Sequence, residues 1–512
     1  MDDKELNRRI DAYLDAHWEE VVADIDALVR IPSVEDKGAA TEGAPFGLGP
    51  REALTAVLGM AERMGFDAHD LDGFIGYADH PGRSDGQIGV IGHVDVVPAG
   101  PGWTFEPYAV TCKDGYLIGR GVADDKGPVV VALHALKFWK DLQDVGTVDT
   151  FPYTVRFLFG ANEETGMGDL PAYQSRFDDP LFLFTPDAEF PVSYGEKGLY
   201  SGVIRSPRLY AGSCGAKDAG SAGAPLAAEP GAGPDSEPDA GSGACRIVAF
   251  EGGAAANAVP GTACAVVRAD AAALPAVEGI AVEAAACDGL ARIVATGRSA
   301  HASTPEKGVS AILLLVGYLL DNGICNEAER AFLELDRRLV SRTDGSGVGI
   351  ACADEHFGAL TVVGGTAYME DGFICQTLDV RFPTSTTPAE LTGQLARLAQ
   401  DAGCSYEALP EAEAEPFLVD PSSPMIQALL SAYNEATGEH AEPFTMGGAT
   451  YARHFASAAS FGPALPHDEA PAWVGGMHGP DEGVSEESLK KAFRIYALTI
   501  GKLMDIDFDE LP

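Results

Sequence analysis

Residues 87–97 read QIGVIGHVDVV, and this stretch decides the fold. A short run of Ile, Val and Gly that closes on His93 and Asp95 predicts a buried strand with polar residues at its C-terminal end. Working outward, YTVRFLFGANE (153–163) and LFLFTPDAEF (181–190) repeat the pattern, while PVVVALHALKFW (128–139), between the first two of the three runs, reads as a helix. Further helices are predicted over about 5–29 and 50–64 from apolar positions at helical spacing. This alternation predicts an α/β fold. A mostly parallel sheet would carry helices on both faces, with polar site residues at the C-terminal ends of its strands.

A chain of 512 residues is too long for one hydrophobic core, so at least two domains are expected. After Tyr200 the composition changes. Residues 211–243 are nearly all Ala, Gly, Ser, Pro, Asp and Glu, which predicts a flexible insertion. Strand-like segments follow (CRIVAFEGG, CAVVRAD, LARIVATG, LTVVGGTAY, FICQTLDVRFP), with helical runs over 305–322 and 388–402. They predict a smaller α+β domain of residues 198–384, inserted into a discontinuous domain of residues 1–197 and 385–512. Hinges are expected near 197–199 and 383–388, and a final helix over 485–503.

Acids outnumber bases 77 to 35, a formal charge of −42. Such a surface repels phosphate backbones and anionic membranes, which disfavours nucleic acid and membrane as partners. No apolar run approaches the roughly 18–20 residues of a membrane helix. The charged, amphipathic N-terminal stretch lacks the apolar centre of a signal peptide. Nine cysteines without regular spacing fit reduced thiols better than a disulfide framework, so a cytoplasmic location is expected.

Five polar motifs carry the chemistry. In GHVDVVPAG (92–100), His93 and Asp95 are two apart at a strand end and face one side. A pair like this, alone, is more often structural. GRGVADDKGP (119–128) sets Asp124 and Asp125 before a helix, where an aspartate also serves as an N-cap. FGANEETG (159–166) places Glu163 and Glu164 just past a strand, otherwise a solvated acidic turn. FTPDAEFP (184–191) puts Asp187 at another strand end, and GGMHGPDE (475–482) supplies His478. Taken together, His93, Asp124, Glu164, Asp187 and His478 are imidazole and carboxylate ligands without thiolates, the set suited to a pair of divalent ions. Two histidines tilt the choice to zinc over magnesium, with manganese or cobalt as alternatives.

In order, these motifs resemble the metal-site motifs of the M20 metallopeptidase family. FTPDAEFPVSYGEKG, GGAAANAVP, SAHASTPEKG and GGATYAR are similar to its PepV-like dipeptidase branch. The resemblance spans nearly the whole chain and fails at 211–243. It implies that Asp124 bridges two ions, that His93 and Asp187 complete one site, and that Glu164 and His478 complete the other. Glu163 would be the general base and Asp95 the acid that supports the metal site. A cis peptide between Asp124 and Asp125 is implied as well.

The implied activity is hydrolysis of dipeptides or very short peptides by a metal-bridged water. Glu163 would take the water's proton and return it to the leaving amine. His301 would stabilise the oxyanion from the inserted lid, and Arg381 would hold the substrate's C-terminal carboxylate. Asn257 would bond polar substrate atoms, and Gly447, Gly448 and Thr450 would allow close approach of the backbone. Read without the resemblance, His301 is a capping or core histidine, Asn257 a turn residue and Arg381 a strand-edge ion pair. The rival within the family is an N-acyl amino acid deacylase on the same metal site. Outside it stand a catalytically silent metal-binding homologue and a two-metal phosphoesterase, the latter disfavoured by the negative charge. A monomer is expected.

Overall fold

A computed structural model describes residues 1–209, 246–285, 287, 289–410 and 413–511. The segment expected as a flexible insertion, 211–243, lies outside the described residues. The chain divides into two compact units: Met1–Gly195, Leu418–Phe444 and Ala449–Pro512 form the first, Glu196–Phe417 and Thr445–Gly448 the second.

The sheet of the first unit runs Asp67–Leu71, Ile75–His80, Thr154–Gly160, Gln87–His93, Phe182–Thr185, Ala458–Ser460 and Ser193–Glu196. Its centre is parallel: Thr154–Gly160, Gln87–His93, Phe182–Thr185 and Ala458–Ser460 share one direction. The 67–80 hairpin pairs antiparallel on one side, and Ser193 pairs antiparallel with Ser460 on the other. After its first residue, Gln87–His93 is buried throughout, which is why its sequence is apolar without alternation. The helix Lys126–Asp144 contacts that strand and also the helices Asp3–Val29 and Glu486–Met504, so it is buried nearly all round.

The second unit is α+β, as expected. Its nine-stranded antiparallel sheet runs Ile280–Ala284, Leu290–Thr296, Thr262–Arg268, Ile247–Gly252, Ala367–Glu370, Phe373–Phe382, Gly198–Arg205 and Ser405–Ala408, with Thr361–Val363 also on Phe373–Phe382. Leu315, Leu333, Leu378 and Leu395 meet in its core. The expected boundary at 385 is corrected to 417. The helix Pro388–Asp401 buries Leu391, Leu395 and Ala399 in this core, and Ser405–Ala408 pairs with Gly198–Arg205. The chain therefore does not leave this unit near 383–388. The helix Glu327–Val340, absent from the sequence reading, starts on a capping box of Asn326 and Glu329. Among the described residues no helix is long and apolar enough to cross a membrane.

Candidate metal centre

Parallel strands deliver the site, all of it in the first unit. His93 ends Gln87–His93, Glu163 and Glu164 follow Thr154–Gly160, and Asp187 follows Phe182–Thr185. These three strands are neighbours running one way, so their C-terminal ends open side by side. Asp124 sits in the loop before Lys126–Asp144, and His478 in a turn where it adopts a left-handed φ of 64°.

Asp124 stands between two imidazoles. One carboxylate oxygen lies 3.1 Å from His93 Nε2 and the other 2.9 Å from His478 Nε2. Glu164 approaches His478 Nε2 to 3.1 Å, and Asp187 approaches His93 Nε2 to 3.8 Å. Ligand atoms of His93, Asp124 and Glu164 lie within 4.8 Å of one another, as do those of His93, Glu163 and Asp187. The Asp124–Asp125 peptide is cis, as the resemblance implies. Asp125 then turns back and accepts the His93 N–H at 3.1 Å. Gly92 makes room, since a Cβ there would lie 2.5 Å from the Asp125 carboxylate.

The donor set fits cations. His93 Nδ1 faces the Asp95 carbonyl at 3.0 Å, and a carbonyl only accepts, so Nδ1 carries the hydrogen. In the neutral ring Nε2 then points a lone pair at carboxylate oxygens of Asp124 and Asp187, an arrangement that only a proton or a cation satisfies. The titration of the cluster agrees. Burial, then Asp187, pushes Glu163 well above its ordinary value; burial, then Asp124, does the same to Asp187 and raises Glu164. Asp124 stays low despite burial because His478 and His93 bond to it. His478 is raised to about 11 by Asp124 and Glu164. Repelling carboxylates and two histidines drawn towards the charged state describe a site with a deficit of positive charge.

Buried groups behind the cluster hold its shape. Asp95 is 1% exposed, and its two carboxylate oxygens accept the N–H groups of Glu163 and Glu164, each at 3.1 Å. Asp169 accepts the N–H groups of Ala161 and Asn162 at 2.8 and 3.2 Å, and the Tyr451 hydroxyl at 2.5 Å. Four consecutive amides of the ANEE turn are thus pinned by two carboxylates. Burial raises Asp169 to about 6. Tyr451 lies where Gly160 has no side chain: a Cβ there would meet its hydroxyl at 2.0 Å. Sequence reasoning missed Asp169, Tyr451, Arg120 and Glu482. The last three were in view as members of GGATYAR, GRGVADDKGP and GGMHGPDE but do not look like ligands.

The remaining candidates divide between the units. Asn257 and His301 are neighbours in the second: Ala258 pairs with His301, and the Asn257 carbonyl accepts the Ala302 N–H at 2.9 Å. His301 Nδ1 accepts the Ser303 N–H at 3.2 Å and meets the Ser303 hydroxyl at 2.7 Å, so the ring hydrogen is on Nε2, the tautomer of a donor. Arg381 donates to Asp379 from Nε and Nη2 and meets the Gly447 carbonyl at 3.5 Å. Its fork is therefore held by a carboxylate of its own strand, the reading the sequence offered as the alternative. Gly447 is required by the close approach of Ser303, whose Cβ a side chain would meet at 2.9 Å, and a Cβ on Gly448 would meet Met446 at 2.6 Å. Thr450 belongs to the first unit and is 2% exposed. Its hydroxyl caps Tyr451–His454 and bonds Ser460, so the side chain is engaged within the first unit.

Known proteins share both sequence and fold. Residues 89–502 match the family described as Peptidase family M20/M25/M40. The chain is 29% identical over 501 residues to "Putative dipeptidase YtjP" of Bacillus subtilis (strain 168), covering 95% of this chain and 97% of that one. It is 28% identical over 496 residues to "Putative dipeptidase SAR1836" of Staphylococcus aureus (strain MRSA252), with 95% and 97% covered. The solved structure of human carnosine dipeptidase 1 superposes with a TM-score of 0.58 at 15% identity, over 98% of this chain and 99% of that one. Dug1p from Saccharomyces cerevisiae gives 0.54 at 14%, over 98% of each. These two share the fold. With the family match covering most of its length, including every member of the candidate metal centre, this chain belongs to the M20/M25/M40 peptidase family.

Proposed function

We propose that this peptidase is a two-zinc dipeptidase in which Glu163 moves the proton. The observation that carries the reading is Asp124, one oxygen towards His93 and the other towards His478, with Asp187 and Glu164 beside the respective imidazoles. Imidazoles with carboxylates favour zinc over magnesium. Two divalent ions held there would lower the pKa of water and polarise a carbonyl oxygen. Glu163, its amide fixed by Asp95, accepts the proton of the attacking water and returns it to the leaving amine. Burial, then Asp187, raises its pKa, the direction that suits a carboxyl which must take up a proton before it gives one back. His301, with hydrogen on Nε2, is the proposed donor to the substrate carbonyl, and Arg381, whose Nη1 is not taken by Asp379, the proposed partner of the substrate carboxylate.

Support for dipeptides as substrate comes from the relatives of similar length that carry that name. The test is hydrolysis of a dipeptide panel by zinc-loaded enzyme, with N-acetylated and C-amidated versions alongside. Cleavage confined to free dipeptides is expected. Preference for N-acetylated compounds would overturn the reading in favour of a deacylase on the same metal site.

A further inference from the structure

His93 and Asp187 are placed by the sheet itself, since their strands are hydrogen-bonded neighbours. Asp124 and His478 are placed differently: both sit on loops, far apart in sequence. What joins those loops is a buried ion pair. The side chains of Arg120 and Glu482 are 1% and 0% exposed, and the guanidinium donates to Glu482 Oε2. Glu482 Oε1 accepts the N–H groups of Gly121, Ala123 and Asp124 at 3.0, 3.1 and 3.3 Å, so one carboxylate gathers the loop that carries Asp124. Arg120 Nη2 donates to the carbonyls of His478 and Gly479 at 3.1 and 3.3 Å and to Pro98 at 3.4 Å. The indole of Trp103 covers the guanidinium at 5.4 Å.

Each member therefore holds the other's loop: Arg120, from the Asp124 loop, grips the His478 backbone, and Glu482, from the His478 loop, grips the Asp124 backbone. Other contacts steady the far side of the turn. Asp481 accepts the Thr104 and Phe105 N–H groups, and Gly483–Ser485 pairs with Tyr116–Ile118. None of these reaches Asp124. The His478 imidazole is half exposed and meets Asp124 and Glu164, and its backbone lies in a turn closed by Gly479 to Gly476 and Gly475 to Asp481 hydrogen bonds; Arg120 is the side chain that bonds its carbonyl.

We propose that Arg120 and Glu482 are positioning residues for one of the two cations: by setting His478 against Asp124 they create the Asp124–Glu164–His478 half of the centre, while the His93–Asp187 half is set by the sheet. This rests on the two-ion reading above. Neither residue is a ligand. Supporting groups of this kind commonly change metal affinity by about 10–100-fold.

The test is zinc binding by the metal-free chain, titrated against a chromophoric chelator, for wild type, Glu482→Gln and the double variant Arg120→Met/Glu482→Gln. The single variant strands a buried guanidinium and is expected to melt lower. The double variant leaves no unpaired buried charge and keeps an amide oxygen for the 121–124 amides, so it should fold with a cooperative melt. Wild type is expected to take up two equivalents. The double variant should keep the first at wild-type affinity and bind the second at least about tenfold more weakly. Two equivalents at wild-type affinity in the double variant would overturn the proposal, as would equal weakening of both, the mark of general structural support. If wild type itself takes up fewer than two, the two-ion reading falls first and the proposal with it, a result visible before any variant is compared.

Discussion

Asp379 takes the Nε and Nη2 hydrogens of Arg381 at 2.7 and 3.1 Å, two residues before it on the same strand and on the same side. Both side chains are about nine-tenths buried. Removing one member of a buried pair strands the other and costs about 3–5 kcal/mol. Asp379→Asn is therefore expected to lower the unfolding free energy by about 3 kcal/mol in urea denaturation. A loss under about 0.5 kcal/mol would place the pair among ordinary surface ion pairs and contradict its burial.

Glu163 comes within 4.8 Å of His93 and Asp187 without a hydrogen bond to an imidazole, whereas Glu164 bonds His478. Glu163→Gln should then reduce kcat by about 10²–10⁴-fold, the usual worth of general acid–base catalysis. Zinc content by elemental analysis should remain at two per chain. Loss of an ion along with activity would make Glu163 a ligand instead.

Asp95 holds two amides with two oxygens, and an amide side chain has only one oxygen to offer. Asp95→Asn should loosen the Glu163–Glu164 turn and weaken zinc binding by about 10–100-fold in a chelator competition. Unchanged affinity would show that Asp169 and the strand are enough to hold that turn.

Asp336, in the second unit, gives a pH dependence that involves no member of the candidate metal centre. It lies on Glu327–Val340, neither carboxylate oxygen has a hydrogen-bond partner, and burial raises its pKa to about 7. In the unfolded chain it titrates near about 3.9. Below about pH 4 both states hold the proton and nothing is lost. Between about 4 and 7 the unfolded chain releases it first, so this residue's contribution falls as pH rises and then levels off. Asp336→Asn should accordingly stabilise the protein by up to about 4 kcal/mol at pH 8 and by little at pH 4. Thermal melts at the two pH values check this; an equal shift at both would contradict it.

What the sequence disclosed follows from the kind of signal each part carries. The central strands are legible because burial on both faces leaves them apolar throughout, and the ligands because they stand where those runs stop. The 67–80 hairpin was not legible. Asp67–Leu71 reads DAHDL and is mostly exposed, so it has no apolar signature and owes its place to pairing with Ile75–His80. The boundary at 417 was hidden for another reason. A helix such as Pro388–Asp401 looks the same whichever core it covers, and only tertiary packing assigns Leu391 and Leu395. Glu327–Val340, by contrast, could have been found from Asn326 and Glu329 at capping-box spacing and a charged face opposite Phe332, Leu335 and Leu339. The groups that pin the site were the least visible. Asp169, Arg120 and Glu482 act on backbone amides and carbonyls, and nothing in a residue's own letter says which backbone it holds.

The tie between Glu482 and the Asp124 amide spans 358 residues of chain. A ribosome adding about 5–20 residues per second needs roughly 20–70 s to cover that distance. Within that interval the nascent chain comes to display His93, Arg120, Asp124, Glu163, Glu164 and Asp187, whereas His478 and Glu482 arrive almost last. Completion of the Asp124–Glu164–His478 half therefore waits for the last part of the chain to be made. A product cut short before His478 would lack one imidazole of the cluster and the Glu482 carboxylate that gathers the 121–124 amides.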